Sequence, residues 1–152
     1  MRSVVRVGVV ALVLGVAACT APAEASDAEV TEWMGAREEP AGDDVIGAAT
    51  ARISPDDPVT TAESGITTST EDGVAVHVER VLLSCLGGTV DFTVETTTGT
   101  HEASTSTATR VEVPCGEEPV TLDLDVAEVT GFRVDADHAD QAGAWHAVFL
   151  GG

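Results

Sequence analysis

From Val45 to the C-terminus, apolar and polar residues alternate with a period of two over most of the chain. Alternation of this kind predicts β-strands that turn one face to a core and the other to solvent. It is clearest over residues 120–126, where Val and Leu occupy every second position and Thr and Asp lie between them. Residues 74–85 show the same pattern, and a shift of the apolar set near Arg80 predicts a β-bulge.

The other strand-length runs are separated by residues that favour turns. Residues 46–53 form a candidate first strand that ends in the loop Pro55-Asp56-Asp57-Pro58, and Gly87-Gly88 marks a turn before the next strand. A separate strand is expected around residues 132–134. Residues 144–150 are apolar at both alternating sets, which predicts a central strand.

The chain divides into three segments: a leader at 1–18, an acidic linker at 19–44 and a folded domain at 45–152. Short strands joined by turns, with no helical pattern after about residue 40, predict an antiparallel all-β sandwich of about six to eight strands. The linker is rich in Ala, Pro, Glu and Asp, which is typical of a flexible spacer.

One stretch of the linker predicts a short helix. It would begin after Ser26 or Asp27, either of which can act as an N-cap, and would end by Pro40. Trp33 and Met34 of this helix either dock on the domain or belong to a mobile arm. The sequence leaves both interpretations open.

The leader has the layout of a secretory signal. Arg2 and Arg6 precede an apolar run from residue 7 to residue 18, which is too short to span a bilayer. The run ends in Val16-Ala17-Ala18-Cys19, which resembles the lipobox of bacterial lipoproteins. The resemblance implies cleavage before Cys19 and attachment of a diacylglyceryl group, with palmitate-type chains, to its sulfur. Two or three such chains would hold the protein at the outer face of the cell membrane.

A second resemblance covers residues 45–152. The patterns Cys85-x-Gly-Gly, Val113-Pro-Cys-Gly and Gly143-x-Trp-His are similar to those of uncharacterised envelope lipoproteins of high-GC Gram-positive bacteria. The complete lack of Lys, Asn and Tyr, whose codons are AT-rich, agrees with a GC-rich genome. The resemblance implies an extracytoplasmic location and carries no biochemical activity.

Cys85 and Cys115 remain once Cys19 is assigned to the lipid. Alternation places each of them on a strand face directed toward the core, and an even number of thiols in an oxidising compartment predicts a disulfide. A metal or redox pair is the alternative, but the two residues lie 30 positions apart and form no CxxC motif. The closed loop would stabilise the fold by about 3–4 kcal/mol.

The chain is strongly acidic, with 26 acidic and 7 basic residues. Because Arg2 and Arg6 lie in the leader and every acidic residue follows Cys19, the mature chain keeps five basic residues and a formal charge of −21. Such a polyanion repels nucleic acid and anionic lipid headgroups. Its simplest role is solubility at the cell surface, and the alternative is binding of a cation or a basic partner.

No catalytic motif is present. Ser residues are numerous, but none lies in a G-x-S-x-G turn, and the four histidines include no HExxH pair. His146 shares a strand face with apolar residues, which favours a structural role. The best ligand candidate is the acidic loop at 135–140, where Asp135, Asp137 and Asp140 offer hard oxygens to Ca²⁺. A solvated acidic loop is the simpler interpretation.

Nine of the fourteen residues from position 96 to position 109 are Ser or Thr. A solvent-facing hairpin with a turn at Gly99 explains this composition most simply, because β-branched residues favour strands. O-glycosylation and an adhesive edge strand are the alternatives.

These patterns indicate an extracytoplasmic, lipid-anchored module that binds an envelope protein or a wall polymer without catalysis and without a cofactor. Calcium-dependent binding through the loop at 135–140 is the alternative function. The expected partners are the membrane, through the lipid on Cys19, and an envelope protein or wall polymer, but not nucleic acid.

The assignment of Cys19 gives the first prediction. Cys19→Ser should move the protein from the membrane fraction to the soluble fraction, because only the acyl chains hold it there. Cys85→Ser is the matched control, and it should leave the protein anchored but less stable. An intact mass that shows no lipid on Cys19 would contradict the assignment.

Overall fold

A computed structural model describes residues 24–37, 42–56, 66–70, 74–100, 103–116 and 118–152. The leader and Cys19 lie outside these residues. The described elements are one helix and seven strands: α1 (Asp27–Gly35), β1 (Val45–Ile53), β2 (Ile66–Ser69), β3 (Val76–Leu86), β4 (Thr89–Thr100), β5 (Ala103–Pro114), β6 (Val120–Asp137) and β7 (Gly143–Gly151). The fold is all-β and antiparallel, as the sequence predicts.

Helix α1 begins with a capping box. The Ser26 hydroxyl accepts the N–H of Glu29, and the Glu29 carboxylate accepts the N–H of Ser26 at 2.8 Å. The Ser26 hydroxyl also donates to Glu29 Oε2 at 2.6 Å, and this bond and the one from the Ser26 N–H hold the pKa of Glu29 below its ordinary value. The helix packs on β7 and β1, where Val30 is buried and Arg52 bonds Asp27 at 2.8 Å. Ser26, rather than Asp27, is therefore the cap, and the helix lies against the domain.

The sheet runs in the order β1-β7-β3-β6-β4-β5, with β2 paired to β6 as a branch. Strand β6 is 18 residues long, and its two halves pair with different strands. Its first half pairs with β3, and its second half pairs with β4 on one side and β2 on the other. Strands β1, β7, β3 and the start of β6 form one layer of the sandwich. The end of β6 with β2, β4 and β5 forms the other.

The two halves of β6 meet at a local bend. Asp125 and Glu128 adopt positive φ angles of 50° and 57°, which is the left-handed region that non-glycine residues rarely visit. The pairing register shifts between Val76 and Arg80 on β3, and again on β4 at this level. The shift at Arg80 confirms the bulge expected from the sequence. Such irregularities let a strand turn from one layer into the other.

Aromatic side chains close the core between the layers. Phe132 of β6 stacks on Phe149 of β7 with ring centroids 4.0 Å apart, and Phe92 of β4 meets Trp145 of β7 edge to face at 5.9 Å. All eight residues from 143 to 150 are buried, which confirms β7 as a central strand. Its inner face meets the core, and α1 covers part of its outer face.

The disulfide joins the two layers at one end. Cys85 is the second-last residue of β3, and Cys115 directly follows β5. Their sulfurs are bonded, as the sequence predicts. The nearby connection from β3 to β4 turns at Gly87-Gly88, where Gly87 has a φ of 125°, and the two strands do not pair with each other because β6 lies between them. The Cys115 N–H donates to the Gly88 carbonyl at 2.8 Å, so β5 is fastened to this turn by a hydrogen bond as well.

Two expectations from the sequence need correction. Residues 120–126 and 132–134 were expected in separate strands, but both belong to β6, because a bend rather than a loop separates them. Gly99 was expected at the turn of the Thr-rich hairpin, but it pairs with Ser104 inside the ladder. Strand β2 was not foreseen, since Ile66 to Ser69 offers only one strongly apolar residue.

Removing the disulfide should destabilise the fold without changing it. We expect Cys85→Ala/Cys115→Ala to lower the free energy of unfolding by about 3–4 kcal/mol, because the unfolded chain regains the entropy of a long loop. Urea denaturation followed by circular dichroism measures this. The wild type in reducing agent should match the double variant. An unchanged free energy in either sample would contradict the assigned role of the bond.

Candidate functional site

Three carboxylates form a row across the outer face of the β5-β4-β6 layer. Asp91 of β4 lies directly opposite both Glu112 of β5 and Asp137 of β6. Like charges at directly opposed positions of a sheet repel one another. A basic side chain is therefore required near Asp91.

Arg110 supplies this charge from the neighbouring row. Its Nη2 donates to Asp91 Oδ2 at 2.7 Å and lies 3.3 Å from Asp137 Oδ1. The hydrogen bond to Asp91 and the charges of Asp137 and Asp91 raise the pKa of Arg110 above its ordinary value. His138 completes the group, with Nδ1 at 2.6 Å from Asp137 Oδ1. Arg110 thus offsets part of the negative charge of the row by contacting two of its three carboxylates.

Asp91, Asp137 and His138 are the described residues that come closest to a metal site, with ligand atoms within 4.8 Å of one another. Arg110 Nη2, however, is already bonded to both carboxylates and lies 3.2 Å from His138 Nδ1. A cation entering this group would have to displace the guanidinium. The geometry is that of an internal ion-pair cluster.

The acidic residues singled out from the sequence are not brought together. Asp135 receives two hydrogen bonds from Arg133, at 2.7 and 2.8 Å. Asp140 Oδ1 accepts the backbone N–H of Thr89 at 2.6 Å, which fixes the start of β4. Only Asp137 belongs to the cluster. Its partner Asp91 was missed as a candidate, although it alternates with the apolar residues Val90 and Phe92.

The described histidines have different surroundings. His77 Nε2 lies 2.9 Å from Asp125 Oδ1 on the exposed face at the bend of β6. His101 lies outside the described residues. His146 is buried, with 6% of its surface exposed, and its Nδ1 is 2.6 Å from the Thr50 hydroxyl. This confirms the structural role expected for His146.

His146 faces α1 from the outer side of β7. Burial lowers its pKa below the ordinary value, and the positive charge of Arg37 lowers the pKa further, while a hydrogen bond with the Ala49 backbone opposes the shift. Burial and the charge of Arg37 therefore favour the neutral form of this imidazole.

A cavity of about 390 Å³ lies between α1 and the disulfide. It is lined by Trp33 and Arg37 of the helix segment, by Leu86, Gly87 and Gly116, and by the disulfide itself. The Arg37 guanidinium lies over the Trp33 ring, with Cζ 3.9 Å from the ring centroid. The sequence did not single out this cavity, because its walls come from segments far apart in the chain.

Strand β5 forms one margin of the sheet. It pairs with β4 in unbroken register over its whole length, and no described strand pairs with its other side. All side chains from 103 to 108 are exposed on both faces, so the hairpin extends past the core. The Thr97 and Ser106 hydroxyls bond each other at 3.0 Å across the ladder. The Ser/Thr-rich stretch is thus a solvent-facing hairpin with an open edge among the described residues.

Comparison with known proteins identifies no relative. No protein-family model matches the chain, and no curated protein or solved structure matches it significantly. Within the described ranges, no helix combines the length and hydropathy needed to cross a membrane.

Burial of His146 predicts a pH-dependent stability. Because its pKa is lower in the folded state than the ordinary 6.5, the unfolded chain binds the proton more readily, and stability falls as the pH drops below about 6.5. His146→Gln, which keeps a polar partner for Thr50, should lessen the fall in Tm between about pH 7.5 and 5.5. His77→Gln removes an exposed histidine and is the matched control. Equal slopes for wild type and His146→Gln would contradict this role.

Proposed function

We propose that this chain is a lipid-anchored, non-catalytic interaction module of the cell envelope, and that it binds a protein partner by strand addition along β5. The supporting observation is the open edge of β5. An unpaired strand edge presents a row of N–H and C=O groups that only another extended backbone can satisfy fully. A wall polymer lacks a matching row of amides in this spacing, so a protein segment fits the edge better.

The other margins of the sheet are less suited to strand addition. Strand β1 has a register irregularity between Val45 and Gly47 and carries Arg52, which is bonded to α1. Strand β2 is only four residues long. Strand β5, by contrast, is 12 residues long, has no register shift, and carries neither charge nor Pro from Ala103 to Thr109. Edges that must stay unpaired usually carry Lys, Pro or a bulge.

Charge indicates the kind of segment that would bind. The mature chain would have a formal charge of −21. Next to the uncharged part of β5, Arg110 is paired with Asp91 and Asp137, and Glu112 beyond it is exposed. A basic extended segment would be attracted to this surface, while an acidic segment or a second copy of the chain would be repelled. We therefore assign the edge to a basic, strand-forming segment of an envelope protein.

The anchor rests on the sequence of the leader. The lipobox-like Val16-Ala17-Ala18-Cys19 follows a charged start and a short apolar run, the arrangement that precedes lipidation in bacterial lipoproteins. Calcium-dependent binding is less well supported, because Arg110 occupies the place of a cation between Asp91 and Asp137.

The edge can be tested with a defined peptide. An eight-residue peptide of alternating Val and Arg should bind and should slow hydrogen exchange of β5 amides at least tenfold, because those amides become paired. Its Val/Glu counterpart should bind more weakly. Amide exchange and chemical shifts measured by NMR give the position of binding residue by residue.

Two variants separate pairing from simple charge attraction. Thr105→Lys/Thr107→Lys places blocking charges on the edge and should abolish binding. Val74→Lys/Thr121→Lys adds the same charge at exposed positions elsewhere and should retain most of the binding. Equal losses in the two variants, or shifts scattered over the acidic surface, would refute strand addition. Membrane attachment is tested separately through Cys19, so either part of the proposal can fail alone.

A further inference from the structure

We propose that the cavity between α1 and the disulfide binds a small organic anion, namely a carboxylate carried on an apolar or aromatic body. The site is independent of the β5 edge, and it rests on the charge and the walls of the cavity. Arg37 supplies the positive group at this cavity, in a chain that is otherwise strongly acidic.

Arg37 differs from the other basic residues of the described chain. Arg52, Arg80, Arg110 and Arg133 each form an ion pair with an Asp side chain. Arg37 instead stacks on Trp33 and donates one hydrogen bond, from Nη1 to the Trp33 carbonyl at 3.2 Å. Among the described residues it has no carboxylate partner. Burial lowers the pKa of Arg37 below its ordinary value, as expected for a cation whose charge is not neutralised nearby.

The guanidinium retains donors for a ligand. A guanidinium has five N–H groups arranged as a planar fork that matches a carboxylate. The Trp33 ring covers one face and one N–H is used, which leaves edge donors available. Stacking also fixes the plane of the fork, so less entropy is lost when an anion binds.

The remaining walls favour an apolar body. Leu86, the Trp33 ring and the disulfide are apolar, and Gly87 and Gly116 leave room beside them. A volume of about 390 Å³ lies within the range of small-molecule sites, in which a few polar groups orient a mostly apolar ligand. The many carboxylates elsewhere are screened beyond about 8 Å at physiological ionic strength, so they do not prevent an anion from reaching Arg37.

The experiment uses 3-phenylpropionate as the probe, with the neutral 3-phenylpropionamide as its isostere. Binding to the mature, disulfide-bonded protein is measured by calorimetry and by tryptophan fluorescence. We expect the acid to bind at least tenfold more tightly than the amide. The fluorescence response should disappear in Trp33→Phe, because the other tryptophan, Trp145, is buried in the core.

Arginine variants test the role of the charge. Arg37→Gln should weaken binding of the acid at least tenfold, and Arg37→Lys should recover part of it. Arg52→Gln is the matched control, since it removes an ion pair of the same helix away from the cavity, and it should change affinity less than twofold. Equal affinities for acid and amide, or an unchanged affinity in Arg37→Gln, would overturn the proposal.

One further variant addresses the acidic residues that follow Arg37 in the sequence. Glu38 and Glu39 lie outside the described residues. Glu38→Gln/Glu39→Gln should bind the acid with an affinity close to that of the wild type. Binding that occurs only in this double variant would overturn the proposal, because Arg37 would then be neutralised by the chain itself.

Discussion

The fold depends on the bend in β6. Because Asp125 and Glu128 adopt left-handed backbone conformations, one strand pairs with β3 in one layer and with β4 in the other. Without that turn, Phe132 would not face Phe149 across the core. The disulfide then fixes the far end of the same two layers. A strand shared between layers and a covalent bond opposite it together close a core that contains few aromatic side chains.

Charge is arranged on two scales. Over the whole surface it is negative, and self-repulsion keeps such a chain soluble. Locally, four of the five arginines among the described residues are placed against carboxylates. Arg110 serves two of the three carboxylates in the row on β5, β4 and β6. Arg133 donates two hydrogen bonds to Asp135. This pairing places arginines against Asp135 and Asp137 of the acidic loop, and Arg37 is the arginine that is paired differently.

The sequence was most informative where a feature depends on a single residue type, such as Cys, or on the two-residue alternation of apolar and polar positions. Alternation predicted the strands, the bulge at Arg80 and the central position of β7, and the core-facing cysteines predicted the disulfide. Prediction from the sequence failed where the structure depends on pairing between strands that lie far apart in the chain. No residue type in the sequence marks the bend of β6. Strand β2 has only four residues, and its strand conformation depends on pairing with β6. The cavity was missed because Trp33, Leu86 and Gly116 come together only after the helix has docked.

The docked position of α1 also determines how the molecule would stand on a membrane. With the proposed lipid on Cys19, seven residues separate the anchor from the first residue of α1, Asp27, a reach of at most about 29 Å. The helix lies at the disulfide end of the sandwich, close to Leu86 and Gly116. The β4–β5 hairpin runs 12 residues away from that end, a length of about 40 Å. With that lipid in place, the short tether would hold the cavity near the membrane surface, and the far end of the β4–β5 hairpin would point away from it.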